Sequence, residues 1–438
     1  MMLQLVDFII CFAVLFFLYQ LRRKKIQLSI CILYSLFFAM AYGFFLKLTT
    51  PHESFIFLSG LLRLIGYGYL ALLKMLVIPL ILTSIIHAIL KLGAQDGRFI
   101  KNVSFLSCFI LLGTTALASL IAIVIGKLFH VGMGLQLPMI SDMPKHPYTG
   151  LTDTLLAMLP SNPVLIMTQE NTVAIVLFAI LLGIAAHMLD EKDHDKMHTF
   201  RQLIDSLFAI VKKLAVLILN FTPYGVFALL SLLLFEQGNT LIFGMLRFLS
   251  AMYTAMFFVL ILHGILITLA GQNFWQYLKK AFVPLFVAFT TRSSFGTLPI
   301  TEETLHNKFK VNQVIATFVP SLGATIGMNA CAGVFPAMLV VMTMTIMHQP
   351  LTMHVILMVM LINAIASLGI SGIPGTAFIA ATVTLTSLNL PYAIIALVQG
   401  IDPIIDMGRT AVNVNGAMTT ALVVDRLYAK KTIPINEN

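Results

Sequence analysis

Charge is what this sequence has least of. Asp, Glu, Lys and Arg make up 10% of its 438 residues, against 59% hydrophobic residues and a mean hydropathy of +0.96. A soluble domain carries about 25% charged residues, so a water-soluble globular class is excluded. Cysteine is scarce as well: there are four, with no CxxC and no Cys/His spacing, which excludes zinc and dithiol redox work. Cys11, Cys31 and Cys108 fall in apolar runs, where a small buried thiol is the ordinary reading. No nucleophile–base pair, Walker loop or metal-ligand cluster is visible, so neither catalysis nor a cofactor is expected.

Long apolar runs are what is present. Residues 3–21, 28–46 and 103–125 each approach or exceed the roughly 20 residues that cross a hydrocarbon core. The fold class read from them is an all-α polytopic membrane protein. The net charge of +9 lies in short basic clusters between these runs, which is the positive-inside pattern and not a nucleic-acid surface. Arg22 to Lys25 follow the first run and no basic residue precedes it, so that run reads as a retained helix with its N-terminus outside. The basic loops at 91–101, 279–280 and 308–310, with Lys430 and Lys431, then fall on the cytoplasmic side, and the C-terminus lies inside.

Along the chain, helices are expected at 28–48, 61–91 (kinked at Pro79), 103–128, 171–189, 200–235 and 240–271. The proline-rich stretch 129–163 reads as an external loop and DEKDHDK at 190–196 as a solvated turn. The later sequence differs. TTRSSFGTLPIT (290–301) and ASLGISGIPGTAF (366–378) interrupt apolar stretches with Gly, Ser and Pro, and each reads as the tip of a hairpin that enters the membrane and returns. A long helix is expected after each, at about 310–345 and 389–428. Paired interruptions in matching halves point to a transporter substrate site.

One face of the last helix carries chemistry. Asp402, Asp406, Arg409 and Asn413 stand at i, i+4, i+7 and i+11, with Thr410 beside them. A charge at mid-membrane costs several kcal/mol unless paired or hydrated, so it marks function. The plainer alternative is a closed salt-bridge network holding helices together. A carboxylate such as Asp406 can bind an ammonium, and Arg409 can grip a carboxylate through two parallel hydrogen bonds. Ser293, Ser294 and exposed backbone N–H groups at the hairpin tips can hold a second carboxylate. The substrate class that fits is a zwitterionic amino acid. Arg292, at the first tip, is placed to pair with Asp402. His87 and His263, in apolar helices, read as hydrogen-bonded core histidines.

TRSSFGTLP (291–299), SLGATIGMN (321–329), ASLGISGIPG (366–375) and DMGRTAVNVNG (406–416) resemble the signature blocks of the dicarboxylate/amino acid:cation symporters, the glutamate-transporter family. GMNACAGVFPAML (327–339), LTSLNLPYAIIALV (385–398) and TPYGVFALL (222–230) are similar to its branch of bacterial L-cystine uptake transporters. The resemblance covers essentially the whole chain. It implies a glutamate-transporter-like fold with two re-entrant helical hairpins in inverted repeats, preceded here by an extra N-terminal transmembrane helix. It also implies a lipid-embedded homotrimer in the bacterial cytoplasmic (inner) membrane.

The implied parts are an extra helix and basic loop (1–27), scaffold helices (28–100 and 164–238), a transport-domain helix (101–128), an external loop (129–163), the main transport domain (239–428) and a cytoplasmic tail (429–438). The transport domain would move like an elevator, with 366–378 as external gate and Pro374 in its tip. Carried onto this chain, Asp406 binds the substrate amino group and Arg409 the distal end, which for cystine is a second amino-acid head. Thr410, Asn413 and Cys331 line the site, while Ser293, Ser294, Ser371, Gly372 and Gly375 receive the main carboxylate.

The departures bear on coupling. Where sodium-coupled members show Asn-Met-Asp this chain has Gly327, Met328 and Asn329, and Ala417 replaces an aspartate. A hard cation wants oxygen ligands, so two sodium sites are weakened. A backbone-carbonyl site around Thr325, Gly327, Ser367, Gly369 and Ile370, with Asn413, is retained as a candidate. The coupling ion is therefore Na+ or H+, at reduced stoichiometry. The function expected is import of L-cystine by cation-coupled symport; the alternative is a dicarboxylate or an acidic or neutral amino-acid symporter of the same family.

Overall fold

The computed structural model describes residues 2–49, 56–93, 98–136, 159–168, 172–369 and 377–432. Among them the regular structure is all helical, with no strand. The first helices are α1 (Met2–Arg23), α2 (Leu28–Thr49), α3 (Ile56–Met75), α4 (Val77–Gly93) and α5 (Arg98–Leu128). After the short α6 (Pro163–Thr168) come α7 (Thr172–Asp190), α8 (His194–Leu219), α9 (Thr222–Gln237) and α10 (Asn239–Leu269). Ile30–Thr49, Asn102–Leu128, Asn239–Leu269 and Asn329–Ile346 are long and apolar enough to cross a membrane. The pair α8 and α9, bent by 47°, is long and apolar enough only when taken together.

Proline explains where several expected helices divide. A proline has no N–H to give the carbonyl four residues back. Pro79 stands four residues after Met75, where α3 ends, so 61–91 is two helices broken at Leu76 and not one kinked helix. Pro223 stands four residues after Leu219, and there the expected helix over 200–235 divides. The Thr222 hydroxyl donates to the orphaned Leu219 carbonyl at 2.6 Å, and Ser35 of α2 donates to the Pro223 carbonyl.

The first interrupted segment is a helical hairpin. Its arms are α11 (Phe274–Thr291) and α12 (Leu298–Glu303), the second continuing as a π turn over Thr304–Lys308. Asn273 caps α11 by accepting from the amides of Trp275 and Gln276. Arg292 ends it in the left-handed conformation, φ 56°, and turns the chain back. The Tyr277 ring then meets Phe309 at 5.4 Å, so the beginning of one arm touches the end of the other.

The second interrupted segment has arms α15 (Met353–Ala366) and α16 (Ala377–Ser387). The Thr384 hydroxyl of α16 donates to the Asn363 side chain of α15 at 2.6 Å. The amide of Asn363 reaches on to Ser119 of α5. The tip, with Ile370, Ser371, Gly372, Pro374 and Gly375, lies outside the described residues.

Each hairpin precedes an interrupted helix, where one long helix was expected. After the first come α13 (Gln313–Gly323), a break, a π turn at Asn329–Val334, and α14 (Phe335–Ile346). Gly327 makes the break: its φ is +68°, and a Cβ there would lie 2.4 Å from the Leu111 Cβ. After the second come a short α17 (Ile395–Val398), a turn, and α18 (Asp402–Thr432). Pro403 withholds the bond to the Gln399 carbonyl, which takes the Asp402 amide at 3.3 Å instead.

Two sets of contacts organise the helices. α9 packs on α2 and α3, and α4 packs on α7 and α8. α18 is held by α5, α10, α11, α13 and the 329–334 turn. The stretch Phe335–Met344 is buried on every side, as an interior helix must be when it is apolar all round.

Gly327→Ala forces a side chain into the left-handed region against backbone, and should destabilise the fold by about 2 kcal/mol. Gly60→Ala, where nothing lies within 4 Å of the added Cβ, should change stability by less than about 1 kcal/mol. Thermal unfolding of the two variants in detergent checks the contrast.

Candidate functional site

The charged stripe of α18 is fully enclosed. Asp402, Asp406 and Arg409 are 5%, 3% and 0% exposed. Arg409 donates through Nη2 to Asp402 Oδ1 at 2.5 Å and to Asp406 Oδ1 at 3.0 Å. Arg292 comes from the first hairpin tip and donates from Nε to Asp406 Oδ2 at 3.0 Å. The expected pairing of Arg292 with Asp402 is thus found on Asp406, one helical turn further along. Two cations and two anions stand together, so the charges balance without solvent.

Arg409 is not saturated. Its Cζ lies 4.4 Å from the centre of the Phe335 ring, a cation–π contact on one face. Its Nε and Nη1 are buried without a hydrogen-bond partner. A guanidinium held on Nη2 keeps single donors on Nε and Nη1 for a ligand, while Nη2, which both of its two-nitrogen edges share, stays on the aspartates. Sequence spacing places Arg409 on the stripe but gives no sign of Phe335, because a single phenylalanine in an apolar run carries no signal.

The remaining expected residues divide. Cys331 meets the stripe, since the Asn413 amide donates to its Sγ at 3.0 Å. Asn413 Oδ1 accepts from the amides of Ala330 and Cys331, so this side chain pins the 329–334 turn to α18. Thr410 turns its hydroxyl back to the Asp406 carbonyl at 2.8 Å. Ser294 is buried and lines a small cavity with Thr301, Asn413 and Ala417. The half-buried Ser293 caps the tip, accepting from the Gly296 amide at 3.0 Å.

For a cation, the candidate backbone segments do meet. The Gly327 amide donates to the Ser367 carbonyl at 3.3 Å, which joins the break after α13 to the turn Ser367–Gly369. The Thr325 hydroxyl is spent on the Leu322 carbonyl. Among the described residues no three His, Cys, Asp or Glu converge as a transition-metal site would need.

A second polar cluster runs beside the first. His263 of α10 is 0% exposed; its Nδ1 faces the Asn415 amide nitrogen at 3.0 Å and its Nε2 faces Asn329 Oδ1 at 3.0 Å. An amide nitrogen only donates, so Nδ1 accepts and Nε2 carries the proton. The Tyr277 hydroxyl donates to Asn415 Oδ1 at 2.6 Å, and Asn329 Nδ2 donates to Thr114 and Thr115 of α5. His263 is thus the hydrogen-bonded core histidine expected. His87 instead pairs with Asp205 at 2.8 Å and stacks on Phe208.

A family model described as the sodium:dicarboxylate symporter family matches residues 28–427. The match begins at α2 and leaves α1 outside it. An L-cystine uptake protein TcyP of Bacillus thuringiensis is 37% identical over 422 residues, covering 93% of this chain and 90% of the relative. One from Bacillus licheniformis is 34% identical over 441 residues, covering 96% and 94%. A symporter of Haemophilus influenzae is 34% identical over 440 residues, covering 97% and 100%.

His263→Leu leaves Asn329 Oδ1 and the Asn415 amide buried without their partner, and should cost about 2–3 kcal/mol of stability. Tyr277→Phe, which removes one bond at the end of the chain, should cost about 1 kcal/mol. Denaturant unfolding in mixed micelles orders the two.

Proposed function

This chain belongs to the sodium:dicarboxylate symporter family, and we propose that within it the protein imports L-cystine by cation-coupled symport. A multi-pass membrane transporter and not an enzyme is what the family and its apolar helices describe. The observation that carries the substrate reading is the buried pair of Asp406 and Arg409, set among relatives named for L-cystine uptake. Asp406 takes the ammonium of one amino-acid head. Ser293, Ser294 and the second hairpin tip, through Ser371, Gly372 and Gly375, take its carboxylate. Arg409 turns its open nitrogens to the far end of the substrate, and Cys331, Thr410 and Asn413 line the space between.

Transport follows an elevator scheme on this reading. The helices over 28–100 and 164–238 form the static scaffold of a homotrimer in a bacterial cytoplasmic membrane. Residues 101–128 and 239–428 move together, which the packing of α5, α10, α11 and α13 on α18 supports. Both hairpins are re-entrant on this reading, and the one at 366–378 is the external gate. Arg292 holds the first tip on Asp406, and Pro374 belongs to the segment assigned as the gate. The N-terminus lies outside and the C-terminus inside.

Coupling rests on few ligands. Asn329 and Ala417 bring no carboxylate, and the oxygens nearest to a cation site are those around Thr325, Gly327, Ser367, Gly369 and Ile370, with Asn413. A single Na+ there, or H+ in its place, is the coupling ion.

Proteoliposomes holding the full chain should accumulate labelled L-cystine when an inward Na+ or H+ gradient is imposed, and not without one. Arg409→Ala should abolish that uptake. Accumulation indifferent to both gradients would remove the coupling, and uptake blocked by aspartate but not by unlabelled cystine would replace the substrate with an acidic amino acid.

A further inference from the structure

The polar residues at the head of α18 extend into the turn before it. Gln399 stands in that turn, three residues before Asp402, and its carbonyl takes the Asp402 amide at 3.3 Å. Gln399 is 1% exposed, and both Oε1 and Nε2 are buried without a hydrogen-bond partner. Buried amides are nearly always satisfied, because an unpaired donor or acceptor costs about 1–3 kcal/mol. Beside it stand Asp402 and Tyr69 of α3; the Tyr69 hydroxyl is bonded to Thr222 at 2.7 Å and also faces the Gln399 side chain. Arg409, which holds Asp402, likewise has Nε and Nη1 buried without a partner.

The charge inventory matches a substrate with two heads. L-Cystine carries two ammonium groups and two carboxylates, joined through a disulfide. Arg292, Arg409, Asp402 and Asp406 supply two cations and two anions in one buried cluster. Spacing agrees with it. The two Cα atoms across a disulfide lie about 5.5–6 Å apart. Asp402 and Asp406 are four residues apart on a helix, a rise of about 6 Å.

We propose that Gln399 and Asp402 form a second amino-acid-head subsite, one helical turn beyond Asp406. Asp402 accepts from the second ammonium. Gln399 donates from Nε2 to the second carboxylate, which Arg409 meets from its other side through Nη1, and Oε1 accepts from the same ammonium. A carboxamide suits this place because it offers a donor and an acceptor without changing the balanced charge. The assignment rests on L-cystine as substrate, and makes Gln399 the residue that separates double-headed from single-headed amino acids.

Binding to the full chain in lipid nanodiscs, measured by calorimetry, tests it with three ligands: L-cystine, diaminopimelate and the single-headed S-methyl-L-cysteine. Gln399→Leu should weaken both double-headed ligands about tenfold, the loss of one hydrogen bond to a charged group, and leave S-methyl-L-cysteine within about twofold. Gln399→Glu keeps the size and adds repulsion toward the carboxylate, so it should weaken the double-headed pair further. Equal weakening of all three ligands, or of none, overturns the subsite. A wild-type chain that binds S-methyl-L-cysteine but not cystine overturns the substrate reading itself, and this subsite with it.

Discussion

The grip of two aspartates on Arg409 is the interaction on which the rest of this structure depends. A guanidinium with no exposure inside an apolar protein is tolerable only if its charge is answered at contact distance. Asp402 and Asp406 answer it from the same helix, so no loop has to be held in place to do so. That leaves one carboxylate excess, and Arg292 supplies the second cation from the first hairpin tip. The tip's position is therefore an electrostatic requirement as much as a packing result. The interrupted helices around it follow, since broken backbone survives in apolar surroundings only where protein or a polar cavity receives its free groups.

The second polar cluster has the opposite character. From Tyr277 through Asn415, His263 and Asn329 to Thr114 and Thr115, every member is a neutral amide, hydroxyl or imidazole. It ties α11, α18, α10, the 329–334 turn and α5 into one unit without any net charge. A chain of that kind fixes helices relative to one another, because each partner's removal strands a buried group. Asn413 extends the tie by holding the amides of residues 330 and 331. The helices that surround the charged stripe are thus locked together by bonds that do not involve its charged members.

Much of this was legible in the residues, and what was not had a physical cause. Apolar runs and turn residues located most helices, and the stripe at 402, 406, 409 and 413 could be read at helical spacing before any coordinates. Helix continuity was misjudged at Pro79, Pro223 and Pro403, because a proline acts on the carbonyl four residues back and the sequence does not say whether a neighbour will rescue it. At Gly327 the cause was tertiary: only the approach of Leu111 reveals that a side chain is forbidden there. Arg292 was rightly drawn to the stripe, but one turn of helix separates Asp402 from Asp406, and spacing alone does not choose between them. Gln399 carried no signal at all, since a lone amide beside a glycine reads as a turn, and the sequence does not say that this turn is buried.

On the proposed reading, the two clusters explain how a chain with so little charge can bind a substrate rich in it. A doubly zwitterionic substrate needs charged partners in equal number, yet a membrane interior penalises any imbalance when the site is empty. Pairing Arg409 with both aspartates meets the second demand and leaves two of its nitrogens for the first. The surrounding amides then hold the frame without adding charge that would upset the balance. On the same proposed reading, Asn329 and Ala417 stand where the resemblance to sodium-coupled members implies carboxylates. Each removes an anion that only a bound cation could neutralise, so a frame built on amides stays stable with fewer ions aboard. On the reading proposed above, reduced cation coupling and a charge-neutral frame are one property seen from two sides.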